Sequence, residues 1–142
     1  MTATPIHQIV ICTSCREPKQ ARRNSRGGAA YSPGSRLMTR LMQALENSLP
    51  VPQFELKAAD CMAGCSRPCT VAFQSDRKAC YLFGDIDPDG PLEPLIVFAE
   101  YYASLDDGWC SSRDRPSALA NKTLARIPAP PRTTTGQVEV VS

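Results

Sequence analysis

The chain has 142 residues, a length that fits one domain with a core of its own, so its seven cysteines are not needed merely to hold a very small fold together. Sixteen basic against fourteen acidic side chains give a formal net charge of +2, which is too balanced to indicate nucleic-acid binding. The chain contains no run of about 18 apolar residues, which is the length that predicts a membrane span. The N-terminus also lacks the pattern of a secretory signal peptide. We therefore expect a cytoplasmic protein whose cysteines are metal ligands or redox thiols rather than a disulfide framework.

The first part of the chain predicts a strand, a long loop and an amphipathic helix. His7–Cys12 is a short β-branched run, which is typical of a buried strand. Residues 16–34 are polar, basic and rich in glycine and proline, and they predict a long loop. Ser35 is a suitable helix N-cap, and the leucines that follow it at every fourth position predict a helix that ends before Pro50.

The second part of the chain predicts three strands and a second helix. Residues 54–58 alternate between apolar and polar, and residues 70–73 and 79–83 form an antiparallel hairpin around a polar turn. The second helix begins at residues 91–93, because a proline is tolerated only in its first turn, and Gly108 is expected just past its end.

This order of elements indicates the fold class and the domain organisation. The order β-α-β-β-β-α predicts an α/β, thioredoxin-like fold in which helices pack on a mixed sheet. We expect this domain to occupy residues 1–111. Residues 112–142 lose the apolar periodicity and are rich in proline, so we expect a flexible or loosely packed C-terminal tail.

Two pairs of cysteines follow the first two strands. Cys12 and Cys15 end the first strand, and Cys61 and Cys65 come just after the second. Loops that follow parallel strands emerge at the same edge of a sheet, so the two pairs can face each other. Each pair can hold one iron of a [2Fe–2S] cluster, since each iron takes two thiolates. The small residues Ala63-Gly64 allow backbone N–H groups to approach the sulfurs.

The cysteine motifs resemble those of known families. The run Cys61-Met-Ala-Gly-Cys65-Ser-Arg-Pro68, followed by an apolar strand, resembles the second cysteine pair of thioredoxin-like [2Fe–2S] ferredoxins and of the small [2Fe–2S] subunit of respiratory NADH dehydrogenase. An early C-x-x-C with a later C-x-x-x-C-x-R-P-C also resembles a family of predicted metal-binding proteins, DUF1636, over roughly residues 7–110.

The resemblance implies a ligand set and a role. It implies that Cys12, Cys15, Cys61 and Cys65 hold a [2Fe–2S] cluster, and that the protein is an electron carrier or accessory protein rather than an enzyme. It further implies a redox partner protein and a context in cobalamin-related metabolism, with a homodimer left open. Two features depart from the ferredoxin pattern: the first pair is closely spaced, and Cys69 is an additional thiol, either an alternative ligand or a neighbour of the cluster.

Two other interpretations stay open. Four thiolates suit tetrahedral zinc as well, in a structural or metal-handling module. A C-x-x-C after a strand also suits a thioredoxin-like dithiol, Cys12/Cys15, whose reactive thiolate is stabilised by a helix N-terminus. Against the dithiol, the predicted helix begins roughly twenty residues after Cys12, too far along the chain for its dipole to act.

The remaining chemistry-bearing residues have ordinary explanations. The only histidine, His7, lies in a strand, and Cys80 and Cys110 are interpreted as packing residues. The basic cluster Arg22, Arg23 and Arg26 is interpreted as a solvated loop, with docking to an acidic redox partner as the alternative. The sequence contains no phosphate-binding glycine loop and no nucleophile paired with a base, which favours a carrier over a catalyst.

Overall fold

The structure, a computed structural model, describes residues 7–13, 32–47, 54–63 and 66–130. Within these ranges no helix has both the length and the apolar character needed to cross a membrane. The elements are β1 (His7–Cys12), α1 (Pro33–Asn47), β2 (Phe54–Ala59), β3 (Val71–Ser75), β4 (Cys80–Phe83), α2 (Glu93–Ser104) and β5 (Thr123–Ile127), with two short 3₁₀ helices, Ser112–Asp114 and Ser117–Leu119, before β5.

The strands form one mixed sheet in the order β2-β1-β3-β4-β5. β1 and β2 are parallel, with Cys12 opposite Ala59, and all other neighbours are antiparallel. The strands β1, β2 and β4 therefore end at the same edge of the sheet. We call this edge, defined by Cys12, Ala59 and Phe83, the cysteine edge.

The predicted order β-α-β-β-β-α is confirmed, with a fifth strand added. Two helix boundaries differ from the prediction. The N-cap of α1 is Ser32 rather than Ser35, because the Ser35 N–H donates to Ser32 Oγ at 3.2 Å. The last residue of α2 is Ser104, so Gly108 lies beyond the helix, where its φ of 79° and its close approach to Ala79 require glycine.

The core lies between one face of the sheet and the helices. Strand alternation directs Ile9 and Ile11 to this face, opposite Phe73 and Val71 of β3. Phe98 of α2 packs edge-to-face on three rings of the sheet, those of Phe73, Tyr81 and Phe83. From α1, Leu37 and Leu41 enter the same cluster, and both are almost completely buried. The four-residue spacing of these leucines is therefore explained by burial of one helix face.

Residues 112–130 differ from the expected flexible or loosely packed tail. β5 pairs with β4 through the whole length of that strand, and Leu119 is buried in the core at 3% exposure. This edge strand has residues that are only half-buried or exposed, so burial imposes no clear alternation that would predict it from the sequence. Residues 131–142, the rest of the expected tail, lie outside the described residues.

A buried lysine stabilises the C-terminal end of α2, at the edge of the sheet opposite the cysteine edge. Lys78 is 5% exposed, and its Nζ donates to the carbonyl oxygens of Tyr102 at 2.9 Å and Ala103 at 3.2 Å. Nε2 of His7 lies 2.9 Å from Lys78 Nζ. Carbonyls at a helix C-terminus attract a cation. Burial lowers the pKa of Lys78, and the nearby charge of Asp106 partly opposes this effect.

We expect the Lys78→Met variant to differ from wild type in the pH dependence of its stability. Because the folded-state pKa of Lys78 lies below its ordinary 10.5, the unfolded chain binds more protons between these two values. As the pH increases through that window, the wild-type free energy of unfolding should therefore rise relative to that of the variant. Below the window, the difference between the two free energies should be constant. Denaturant titrations at closely spaced pH values measure both curves. Parallel curves up to pH 10.5 would contradict the assignment.

Candidate metal or cluster site

The described cysteines of the two predicted pairs lie at the cysteine edge. Cys12 is the last residue of β1, and Cys61 comes two residues after the end of β2. The Cys12 thiol donates to the carbonyl oxygen of Asp60 at 3.9 Å, so it contacts the residue that precedes Cys61. Parallel pairing of β1 and β2 is the physical reason for this proximity. Cys15 and Cys65 lie outside the described residues.

The two thiols differ in their access to solvent. Cys12 is 2% exposed and belongs to the core, whereas Cys61 is exposed. The N–H of Ala63 donates to Cys61 Sγ at 3.3 Å, and such bonds stabilise negative charge on sulfur. Ala63 reaches this position with a φ of 61°, a left-handed conformation that is unusual for a residue with a side chain. The loop is thus shaped so that a backbone donor points at the sulfur.

The N-terminus of α1 packs directly on the first cysteine. A Cβ added to Gly34 would lie only 2.0 Å from the carbonyl oxygen of Cys12, so only glycine allows this approach. Ser32 Oγ donates to the carbonyl oxygen of Thr13 at 2.7 Å and accepts the N–H of Ser35, which joins the helix cap to the end of β1. The positive end of the helix dipole therefore lies beside Cys12, where it favours negative charge.

This position corrects the argument against a dithiol. The separation along the chain suggested that the α1 dipole is too distant from Cys12 to act. In the folded protein the first turn of α1 touches the backbone of Cys12 and Thr13, because the chain returns to the cysteine edge before the helix begins.

A pair of arginines on α1 fixes the loop that precedes α2. Arg36 forms two hydrogen bonds to the carboxylate of Asp89, at 3.3 and 3.0 Å, and Arg40 donates to the carbonyl oxygen of Pro88 at 2.6 Å. Because this loop follows the end of β4, both helices begin at the cysteine edge. Two helix N-termini thus favour anionic groups at this edge.

Cys69 occupies the core beside this edge. It is completely buried, and its backbone exchanges two hydrogen bonds with Ile86, at 3.3 and 3.2 Å. The next residue, Thr70, accepts the N–H of Cys12 at 3.2 Å, so Cys69 is a near neighbour of the first cysteine through the sheet. Its burial agrees with a packing role next to the site, and its place outside the ligand set stays a prediction.

The other candidate residues lie away from this site. His7 is buried at the opposite end of β1, where it contacts Lys78. Cys80 is half-buried in β4, and burial raises the pKa of its thiol. The Cys110 sulfur lies 3.2 Å from the hydroxyl of Tyr81, whose pKa is raised to about 12, chiefly by burial and also by its contact with Cys110. The basic residues Arg22, Arg23 and Arg26 lie outside the described residues.

The donor set at the cysteine edge is compatible with a thiolate-held metal or cluster. Among the described residues, no three His, Cys, Asp or Glu side chains are grouped to hold a metal ion, but two of the four predicted ligands fall in the gaps of the description. Cys12 and Cys61, the two predicted ligands that the structure describes, fit such a group, because each predicted pair contributes one thiol to the same edge. The Ala63 N–H and the α1 N-terminus, both suited to negative charge, support this fit.

Two contributors to this site cannot be recognised as such from the sequence. Ser32 and Gly34 belong to a segment whose composition predicts a loop. The Ser32-Pro33 dipeptide carries a usable signal, since serine at the N-cap followed by proline at the first helical position is a common helix start. For Gly34 the decisive contact is with Cys12, far away in the sequence, and local patterns contain no sign of it.

Comparisons with known proteins agree with this fold. The model of a family described as "Protein of unknown function (DUF1636)" matches residues 9–129. The structure is similar to that of a thioredoxin-like [2Fe–2S] ferredoxin from Aquifex aeolicus, with a TM-score of 0.50 and 15% sequence identity. The similarity covers 91% of this chain and 98% of the ferredoxin chain, and it confirms the predicted thioredoxin-like α/β fold. A search of curated proteins finds no match.

Proposed function

Because the chain belongs to the DUF1636 family and has the fold of a thioredoxin-like ferredoxin, we propose that it is an iron–sulfur electron carrier or accessory protein. In this proposal Cys12 and Cys15 hold one iron of a [2Fe–2S] cluster, and Cys61 and Cys65 hold the other. The observation that carries it is the meeting of Cys12 and Cys61 at one sheet edge, where the Cys12 thiol contacts Asp60. Bound there, such a cluster supplies a one-electron redox couple.

The described residues would have different roles in such a site. Cys12 anchors the buried side, and Cys61 forms the side that faces solvent. The Ala63 N–H and the N-terminus of α1 favour the additional negative charge that reduction brings, which raises the reduction potential relative to a site without them. We place docking of a redox partner protein at the exposed Cys61 side. A cytoplasmic location, which the sequence predicts, and a link to cobalamin-related metabolism, which the family resemblance implies, also belong to the proposal.

One observation favours a second candidate, a dithiol oxidoreductase that uses Cys12 and Cys15. The N-terminus of α1 packs beside Cys12, and a helix N-terminus also adjoins the reactive cysteine of such proteins. The second pair of cysteines, with its own N–H donor, has no part in that chemistry, and for this reason we prefer the cluster.

Anaerobic purification of the full chain tests the proposal. We expect a brown protein with about two irons and two sulfides per chain, whose visible absorption bleaches with dithionite. A colourless protein with about one zinc per chain would overturn the cluster in favour of a zinc module. A colourless, metal-free protein with a dithiothreitol-sensitive Cys12–Cys15 disulfide would overturn it in favour of the dithiol. Iron and zinc analysis, together with mass spectrometry of alkylated peptides, separates the three outcomes.

A further inference from the structure

Residues 61–63 and 66–69, the described part of the second cysteine loop, contact the rest of the fold through Arg67. Arg67 Nε donates to Asp85 Oδ2 at 2.6 Å, and its Nη2 donates to the carbonyl oxygen of Asn121. The backbone is engaged as well, since the N–H of Asp85 donates to the carbonyl oxygen of Arg67 at 2.9 Å. One residue of the loop therefore makes three hydrogen bonds to two other segments of the chain.

Both of those segments are shaped for this contact. Asp85 and Asn121 have φ values of 55° and 65°, in the left-handed region where aspartate and asparagine are the best tolerated of the residues with side chains. A Cβ added to Gly84 would lie 2.9 Å from the Arg67 carbonyl oxygen and 3.1 Å from its Cβ, so the end of β4 packs closely on Arg67. The N–H of Gly84 also donates to the carbonyl oxygen of Lys122 at 2.8 Å, which joins the two segments to each other.

We propose that Arg67 is a positioning residue of the cluster site, which holds the second cysteine loop in shape by bridging it to Asp85 and to the turn at Asn121. Arginine suits this task because its planar guanidinium carries five donors and reaches two acceptors at once, whereas lysine presents one compact ammonium. The inference rests on the proposed function for the identity of the group that the loop holds. The bridge itself does not depend on it.

The bridge acts locally rather than on the whole fold. The side chains of Arg67 and Asp85 are 35% and 46% exposed, and ion pairs of this kind contribute little to global stability. Loss of Arg67 should therefore loosen the loop while the melting temperature changes little. A residue that merely supported the fold would change the melting temperature and all buried thiols together.

Site-resolved alkylation of the reduced, metal-free full chain measures this local effect. Cys69 lies two residues after Arg67 and is completely buried, and Cys110, half-buried beside Tyr81, serves as the internal reference. We expect Arg67→Gln to raise the iodoacetamide reactivity of Cys69 relative to Cys110 about tenfold, because local opening exposes it. Arg67→Lys should restore part of the protection.

An arginine at the opposite edge of the sheet provides the control. Arg77 also pairs with an aspartate, Asp76, with side-chain exposures of 63% and 67%, but it lies in the turn between β3 and β4 and not in the loop. Arg77→Gln should leave the Cys69 reactivity unchanged. In the iron-loaded protein, Arg67→Gln should accelerate loss of iron to a chelator about tenfold, and Arg77→Gln should not.

The outcomes are distinguishable. An unchanged Cys69 reactivity in a folded Arg67→Gln protein, or an equal increase in Arg77→Gln, would overturn the inference. If Arg67→Gln does not fold, the same measurement is made on Arg67→Lys and Asp85→Asn. Protection of Cys69 equal to that of wild type in both variants would overturn the inference. A wild-type protein that binds no iron would overturn the proposed function, and the alkylation comparison would still decide whether Arg67 holds the loop.

Discussion

Replacing Cys12 by serine is expected to abolish cluster binding, with iron falling from about two per chain to near zero. A serine hydroxyl stays protonated and is a poor ligand for iron in place of a thiolate. In the proposed site Cys12 is the buried ligand, 2% exposed at the end of β1. Iron and sulfide analysis of anaerobically purified protein measures the loss.

Two other serine variants make this result specific. Cys80→Ser changes a half-buried strand cysteine outside the predicted pairs and should keep its iron. Cys69→Ser should also keep its iron, while its free energy of unfolding falls by about 1–3 kcal/mol, because a hydroxyl is placed in a completely buried position. Full iron in Cys12→Ser would contradict the ligand assignment, and loss of iron in Cys69→Ser would make Cys69 a ligand.

Removal of residues 112–142 is expected to prevent stable folding. The truncated chain lacks β5, which exposes the edge of β4, and it loses Leu119, whose burial alone contributes about 1.5–3 kcal/mol. Since a domain of this size has a total stability of about 5–15 kcal/mol, the combined loss is a large part of the whole. Gel filtration and thermal unfolding followed by circular dichroism measure the effect.

A shorter truncation is the matched control. Removal of residues 131–142 leaves β5 and Leu119 in place, so this variant should melt within a few degrees of the full chain. If the chain that ends at residue 111 melts cooperatively at the temperature of the full chain, the segment 112–130 contributes nothing to stability. That result would restore the original interpretation of this segment as a tail.

The predictable part of the fold is the part in which burial constrains the sequence. β1 places Ile9 and Ile11 on the core face, and α1 buries Leu37 and Leu41, so strand and helix periods are visible in these segments. β5 gives no such signal, because it covers the edge of the sheet with residues that remain at least partly in contact with solvent. An edge strand is specified mainly by the backbone hydrogen bonds of its neighbour, which leave little trace in composition.

In the candidate site, too, some features can be predicted from the sequence and others cannot. The rule that parallel strands end at one edge was sufficient to bring Cys12 and Cys61 together. The approach of Gly34 to Cys12 and the bridge from Arg67 to Asn121 join residues 22 and 54 positions apart, and such contacts arise from the tertiary arrangement rather than from local pattern. The positions of Cys15 and Cys65 stay predictions.

The direction of β5 has a practical consequence for electrochemistry. β5 is antiparallel to β4, so the chain leaves the sheet after Ile127 at the edge opposite Cys12 and Cys61. A tether joined beyond this point would fix the molecule to a surface with Cys12 and Cys61 directed towards the bulk solution. Attachment at the cysteine edge, through a residue other than the proposed ligands, would instead bring that edge to the surface. For the proposed cluster, the two orientations should differ in the rate of interfacial electron transfer.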